Sequence, residues 1–140
     1  MEPNYYKLND VKMFADVTDG TAIIIDSSTG IYYGMNGFGT FVYENLQAGS
    51  STGDILSSVK CLPGLPEGFE TAFEAFISSL VKFEIMIPYE GGQPRAVVID
   101  PAIAERDEYK PVCTEYKDVQ ELLFADPIHE VDIDEGWKPE

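Results

Sequence analysis

The chain has 140 residues, 44% of them hydrophobic, and a formal net charge of −16, which suits one domain with a modest core and an appendage. So acidic a chain repels phosphate backbones and anionic lipid surfaces, which sets nucleic acid and membrane aside as partners. No apolar run is long enough to span a bilayer and the first ten residues lack a signal-peptide core, so a cytoplasmic protein is expected, with Cys61 and Cys113 as reduced thiols.

Residues 11–18 alternate loosely, with Phe14 and Val17 among polar neighbours, and Asp19-Gly20 is a two-residue turn that accepts positive φ. Residues 21–26, with Ile23, Ile24 and Ile25, form the partner strand. After the turn formers Asp26-Ser27-Ser28-Thr29-Gly30 comes a short aromatic strand: Ile31, Tyr32, Tyr33, Gly34 and Met35. Together they predict a three-stranded antiparallel meander. Nothing after the third strand looks like its partner, so this strand is expected to be either an open sheet edge or an edge covered by the protein's own tail.

The period then changes from two to 3.6. Asn36 caps a helix carrying Phe38, Phe41, Val42, Asn45 and Leu46, which Gly49 ends. Thr52 caps a second helix with Ile55, Leu56 and Val59, broken by Cys61-Leu62-Pro63-Gly64-Leu65-Pro66. Glu67 and Glu70 open a third, strongly amphipathic helix with Phe69, Phe73, Phe76, Ile77 and Leu80 on one face. Ile85, Met86 and Ile87 form a short β segment closed by Pro88, and Gly91-Gly92-Gln93-Pro94 marks a boundary. A second β-like run covers 96–99.

From Asp100 to Glu140 there are thirteen acids against four bases, a net of −9 in 41 residues. Such a segment does not build its own core. Its apolar residues gather late, at Leu122, Leu123, Phe124, Ile128 and Trp137, as anchors of a linear motif within 115–137. Three roles are open to this tail: packing on the domain, docking a partner, or serving as a fused substrate.

Sites of sharper chemistry find little support. Asp26-Ser27-Ser28 has the composition of an acyl-carrier attachment site, but its serines sit in a hairpin turn. His129 is the single histidine, which leaves a catalytic triad or a histidine metal cluster without members. Neither cysteine has a base near it in sequence. No catalytic residue, metal ligand or cofactor is expected.

The pattern Asp26…Thr29-Gly30-Ile31-Tyr32-Tyr33…Met35-Asn36…Gly39, then Phe41…Leu46…Gly49…Thr52…Ile55, then Phe69…Phe76…Leu80 resembles the PqqD-like proteins, the peptide-recognition elements of ribosomal peptide maturation. The resemblance covers roughly residues 10–90 and is one of residue types and spacing. It departs from the family at Phe83-Glu84, where members often carry glycine in the turn into the last β segment. It implies an α+β winged-helix-like domain over residues 1–92, a meander followed by three helices and a small β wing, with an acidic, extended C-terminal extension over 93–140. It further implies a non-catalytic adaptor that binds the leader of a precursor peptide as an added strand and presents it to a modifying enzyme. Radical-SAM, ATP-grasp and asparagine-synthetase-like enzymes are all compatible partners, and an edge strand also permits a homodimer. The docking rail would be Ile31, Tyr32, Tyr33, Gly34 and Met35, with Phe73, Phe76 and Ile77 from the third helix. The alternatives are a winged-helix DNA-binding protein, or a scaffold subunit that docks an enzyme through Leu122, Leu123, Phe124, Ile128 and Trp137.

Overall fold

The computed structural model describes residues 4–90 and 96–117, an α+β arrangement of two antiparallel sheets and four helices. In chain order the elements are β1 (Tyr6–Leu8), β2 (Met13–Thr18), β3 (Thr21–Asp26), β4 (Tyr32–Met35), α1 (Gly37–Ala48), α2 (Thr52–Lys60), α3 (Phe69–Lys82), β5 (Met86–Pro88), α4 (Pro101–Arg106) and β6 (Cys113–Tyr116).

The meander forms as the sequence predicts. Asp19 and Gly20 both take positive φ, 55° and 78°, the geometry whose twist matches a tight hairpin. The β3–β4 turn is tied by Asp26, whose Oδ1 accepts from Ser28 N (2.9 Å), Ser28 Oγ (2.6 Å) and Thr29 N (3.3 Å). Ser28 is thus consumed by the turn. Beneath the turn, Lys12 Nζ lies 3.4 Å from Asp26 Oδ2 and 2.6 Å from Glu84 Oε1.

The helices also follow the 3.6-residue pattern, with differences at their ends. Asn36 Oδ1 caps α1 by accepting from Gly39 N, and Gly49 closes that helix at φ 115°. The cap of α2 is Ser51 rather than Thr52, which is already inside the helix; Ser51 Oγ accepts from Asp54 N. Helix α3 starts at Phe69 after a left-handed Gly68, so Glu67 precedes it. Phe38, Phe73, Leu46, Ile55, Leu80 and Ile24 are fully buried between helices and sheet.

Two features differ from the sequence expectation, and a third decides between its alternatives. Strand β5 pairs with β1, an unpredicted N-terminal strand, through Tyr6–Pro88, Lys7–Ile87 and Leu8–Met86. Residues 96–99 form no strand; they run along α1, where Asn45 Nδ2 donates to Val98 O and Asn45 Oδ1 accepts from Val98 N, both at 2.8 Å. The third concerns the edge at β4, which is not open but takes the other expected form: the protein's own extension covers it with β6, and the larger sheet runs β2-β3-β4-β6. Both α4 and β6 come from beyond the boundary placed at 92–93, and the described part of the extension, 96–117, packs onto the domain, with Ala104 fully buried and Tyr109 8% exposed.

Candidate functional site

An antiparallel strand alternates the side to which each residue directs its N–H and C=O. Asp26 N donates to Ile31 O at 2.9 Å, so the ladder's alternation turns the main chain of Tyr33 toward β3 and that of Tyr32 and Gly34 toward the other edge. That other edge carries β6, in the register Tyr32–Tyr116, Tyr33–Glu115, Gly34–Thr114 and Met35–Cys113. The same alternation directs the N–H groups of Thr114 and Tyr116 at β4, and those of Cys113 and Glu115 outward.

The start of β6 is held by Asn36. Its backbone N donates to Val112 O (3.2 Å), its Oδ1 accepts from Val112 N (3.0 Å), and its Nδ2 donates to Lys110 O (2.8 Å). Every one of these contacts is to main chain. One turn into α1, Gly39 leaves room for the approach: a Cβ there would lie 2.9 Å from Val112 O and 3.2 Å from the Phe76 ring. A Cβ at Gly37 would lie 2.8 Å from Ile103 Cγ2, so two glycines at one helix start make way for α4 and the strand after it.

Helix α4 is fastened separately. Asp107 Oδ2 accepts from Phe38 N at 2.8 Å, placing a carboxylate at the positive end of α1. Tyr109 Oη donates to Pro63 O at 2.6 Å. At the end of this anchor, before β6, Glu108 and Tyr109 sit at φ 58° and 59°, a left-handed pair that residues with a Cβ adopt at a cost.

The flank of β6 faces α3 across a groove of about 340 Å³ lined by Ala72, Ala75, Phe76, Ser79 and residues 110–113. Cys113, half-buried on this side, is a free thiol, and burial pushes it up to about 12. Tyr33, across from Glu115 and tilted against the Phe83 ring at 4.8 Å between centroids, is raised by burial first and by the Glu115 charge second. At the β3–β4 turn, burial pushes the Asp26 carboxyl up, but the Ser28 hydrogen bonds and Lys12 outweigh it and hold the group at about 2.

The residues named from sequence divide accordingly. Tyr32 and Gly34 supply the pairing edge; Ile31 and Tyr32 are half-buried, and Tyr32 shares the outer sheet face with Phe14, Ile25 and Tyr116, aligned across four strands. Tyr33 and Met35 point into the core, as do Phe73 and Ile77, while Phe76 reaches the groove. Leu122, Leu123, Phe124, Ile128 and Trp137 lie outside the described residues. Sequence reasoning noted Asn36 as a cap and missed its grip on 110–112, because nothing in Lys110-Pro111-Val112 signals a partner for it. Among the described residues no cluster of acidic, histidine or cysteine side chains is arranged to hold a metal, and no helix is long and apolar enough to cross a membrane. No family model, curated protein or solved structure matches the chain.

Proposed function

We propose that the protein is a non-catalytic adaptor of the PqqD-like, winged-helix kind. It binds the leader of a ribosomally made precursor peptide by strand addition at β4 and presents it to a modifying enzyme. The observation that supports this reading is the behaviour of the β4 edge: it accepts an extended segment through Tyr32 and Gly34, beside α3 and under main-chain hydrogen bonds from Asn36. An edge that receives backbone, flanked by an apolar groove that receives alternate side chains, is the physical recipe for recognising an extended peptide.

The test is calorimetric titration of the full chain with the small peptides encoded beside its gene. Binding of one of them, abolished by Gly34→Pro through loss of a β4 donor, is the expected result. Absence of heat with every such peptide, in a chain freed of β6 as described below, ends the proposal.

A further inference from the structure

We propose that residues 110–116 are a resident strand on the peptide-binding edge, and that an extended peptide binds there by exchange, swinging β6 out about the chain just after Tyr109 while α4 stays docked. The inference deepens the adaptor reading and rests on it. Four observations carry it.

The grip on β6 is generic. Asn36 and the β4 edge hold its backbone, which any extended peptide also possesses. The strand itself is weakly committed: Thr114 and Glu115 are exposed and Cys113 and Tyr116 only half-buried. The anchor is separable, since Ala104, Asp107 and Tyr109 fasten α4 without using β6. And the anchor ends where β6 begins to leave it: the left-handed pair Glu108–Tyr109 closes α4, and the chain reaches the β4 edge only beyond it, at residues 110–112.

The resident strand also states what a replacement must look like. Pro111, buried, and Cys113, half-buried, lie two apart beside α3, while Thr114, on the opposite face, is exposed. The competing peptide is therefore one that runs antiparallel to β4 with two small, uncharged residues at alternate positions.

Exchange has a quantitative signature. If β6 occupies the edge nine-tenths of the time, a competitor sees an apparent affinity about tenfold weaker than the bare edge offers. Thr114→Pro deletes a resident-strand donor that faces β4 and leaves β4 intact; Glu115→Pro deletes an outward-facing one and serves as the control. The probe is a fluorescein-labelled peptide of residues 110–117, titrated under reducing conditions into the full-length wild type and both variants, and followed by anisotropy. The expected result is at least about tenfold tighter binding to Thr114→Pro than to wild type or Glu115→Pro. Equal affinity in all three, or no binding to Thr114→Pro, overturns the exchange.

The same series is run with synthetic leaders of the peptides encoded beside the gene. A leader that binds wild type and Thr114→Pro equally overturns exchange and leaves the adaptor reading intact. If the 110–117 peptide binds Thr114→Pro and no leader binds any variant, the adaptor reading falls and the exchange stands. A measurement free of any substitution accompanies these: alkylation of Cys113 in the wild type, with exposed Cys61 as internal reference. A bound leader is expected to speed reaction at Cys113 at least about tenfold, because displacing β6 returns that thiol to water; an unchanged rate with leader bound overturns the proposal.

Discussion

Asn36 and Val112 bond to each other twice, backbone N of the first to O of the second and backbone N of the second to Oδ1 of the first, at 3.2 and 3.0 Å. The same Oδ1 accepts from Gly39 N at 2.8 Å. One carboxamide thus joins the start of α1, the end of β4 and the entry to β6, and its removal tests all three.

Asn36→Ala deletes the cap and the hold on 110–112 together, and is expected to cost about 1–3 kcal/mol in urea unfolding. Asn36→Asp keeps the acceptor for Gly39 and Val112, loses only the donation to Lys110, and gains a charge suited to a helix start. It is expected to cost less than half as much. Amide exchange at Val112 separates the variants: fast in Asn36→Ala, protected in Asn36→Asp.

Gly39→Ala tests the close approach. Alanine suits a helix by about 1 kcal/mol over glycine, yet here its methyl meets Val112 O at 2.9 Å and Asn36 Oδ1 at 2.9 Å. Overpacking of this kind costs about 1–3 kcal/mol, so net destabilisation is expected. The loss should be confined to β6: amide protection falls at Thr114 and Tyr116 and stays at Ile24. A stabilised Gly39→Ala would contradict the packing described.

Asp26 sets an acid limit. Its folded-state group sits at about 2 against an ordinary 3.8, so the carboxylate form favours the folded protein. That contribution is fully present above pH 4 and is lost as pH falls from about 4 through 2. Asp26→Asn should flatten this part of the stability–pH curve and, by weakening the Ser28 hydrogen bonds and the Lys12 pair, cost about 1–3 kcal/mol at pH 7. A wild-type curve that is flat over this window, or one that Asp26→Asn leaves unchanged, contradicts the assignment.

The two thiols should separate kinetically. With Cys113 raised from about 9 to about 12, its thiolate fraction at pH 8 drops about a thousandfold, and half-burial slows it further. A maleimide titration of the native protein is expected to give one fast equivalent, at exposed Cys61, and one slow; denaturation makes both fast. Two fast equivalents in the native protein would mean that β6 is absent from the edge.

What the sequence discloses and what it conceals follow from where each element's stability originates. The meander and the three long helices announce themselves because their own residues carry the pattern: Asp19-Gly20 for the hairpin, Phe69 to Leu80 at helical spacing. Strand β6 reads Cys-Thr-Glu-Tyr, with no β-branched pair and no clean alternation; it is a strand because β4 makes it one. Strand β1, three residues long, is likewise defined by β5. In the turn into β5, Glu84 takes φ 63°, the left-handed region in which glycine is at ease, and its carboxylate pairs with Lys12. Strand β4 was readable, and a cover from the protein's own tail was one of two readings of its edge; which residues supply that cover was not, because an added strand brings little sequence pattern of its own.

A sheet has two ends, and the identity of the last strand decides what the molecule does in a crowd. With β6 in place, the terminal strand is short and bears Glu115, followed by Lys117, a charged border poorly suited to templating another chain. With β6 gone and no peptide in its stead, the sheet would end in Tyr32-Tyr33-Gly34-Met35, aromatic and uncharged, open to a second molecule's backbone. Strand β6 therefore covers an edge suited to self-pairing, and a variant truncated before it is expected to self-associate more than the full chain.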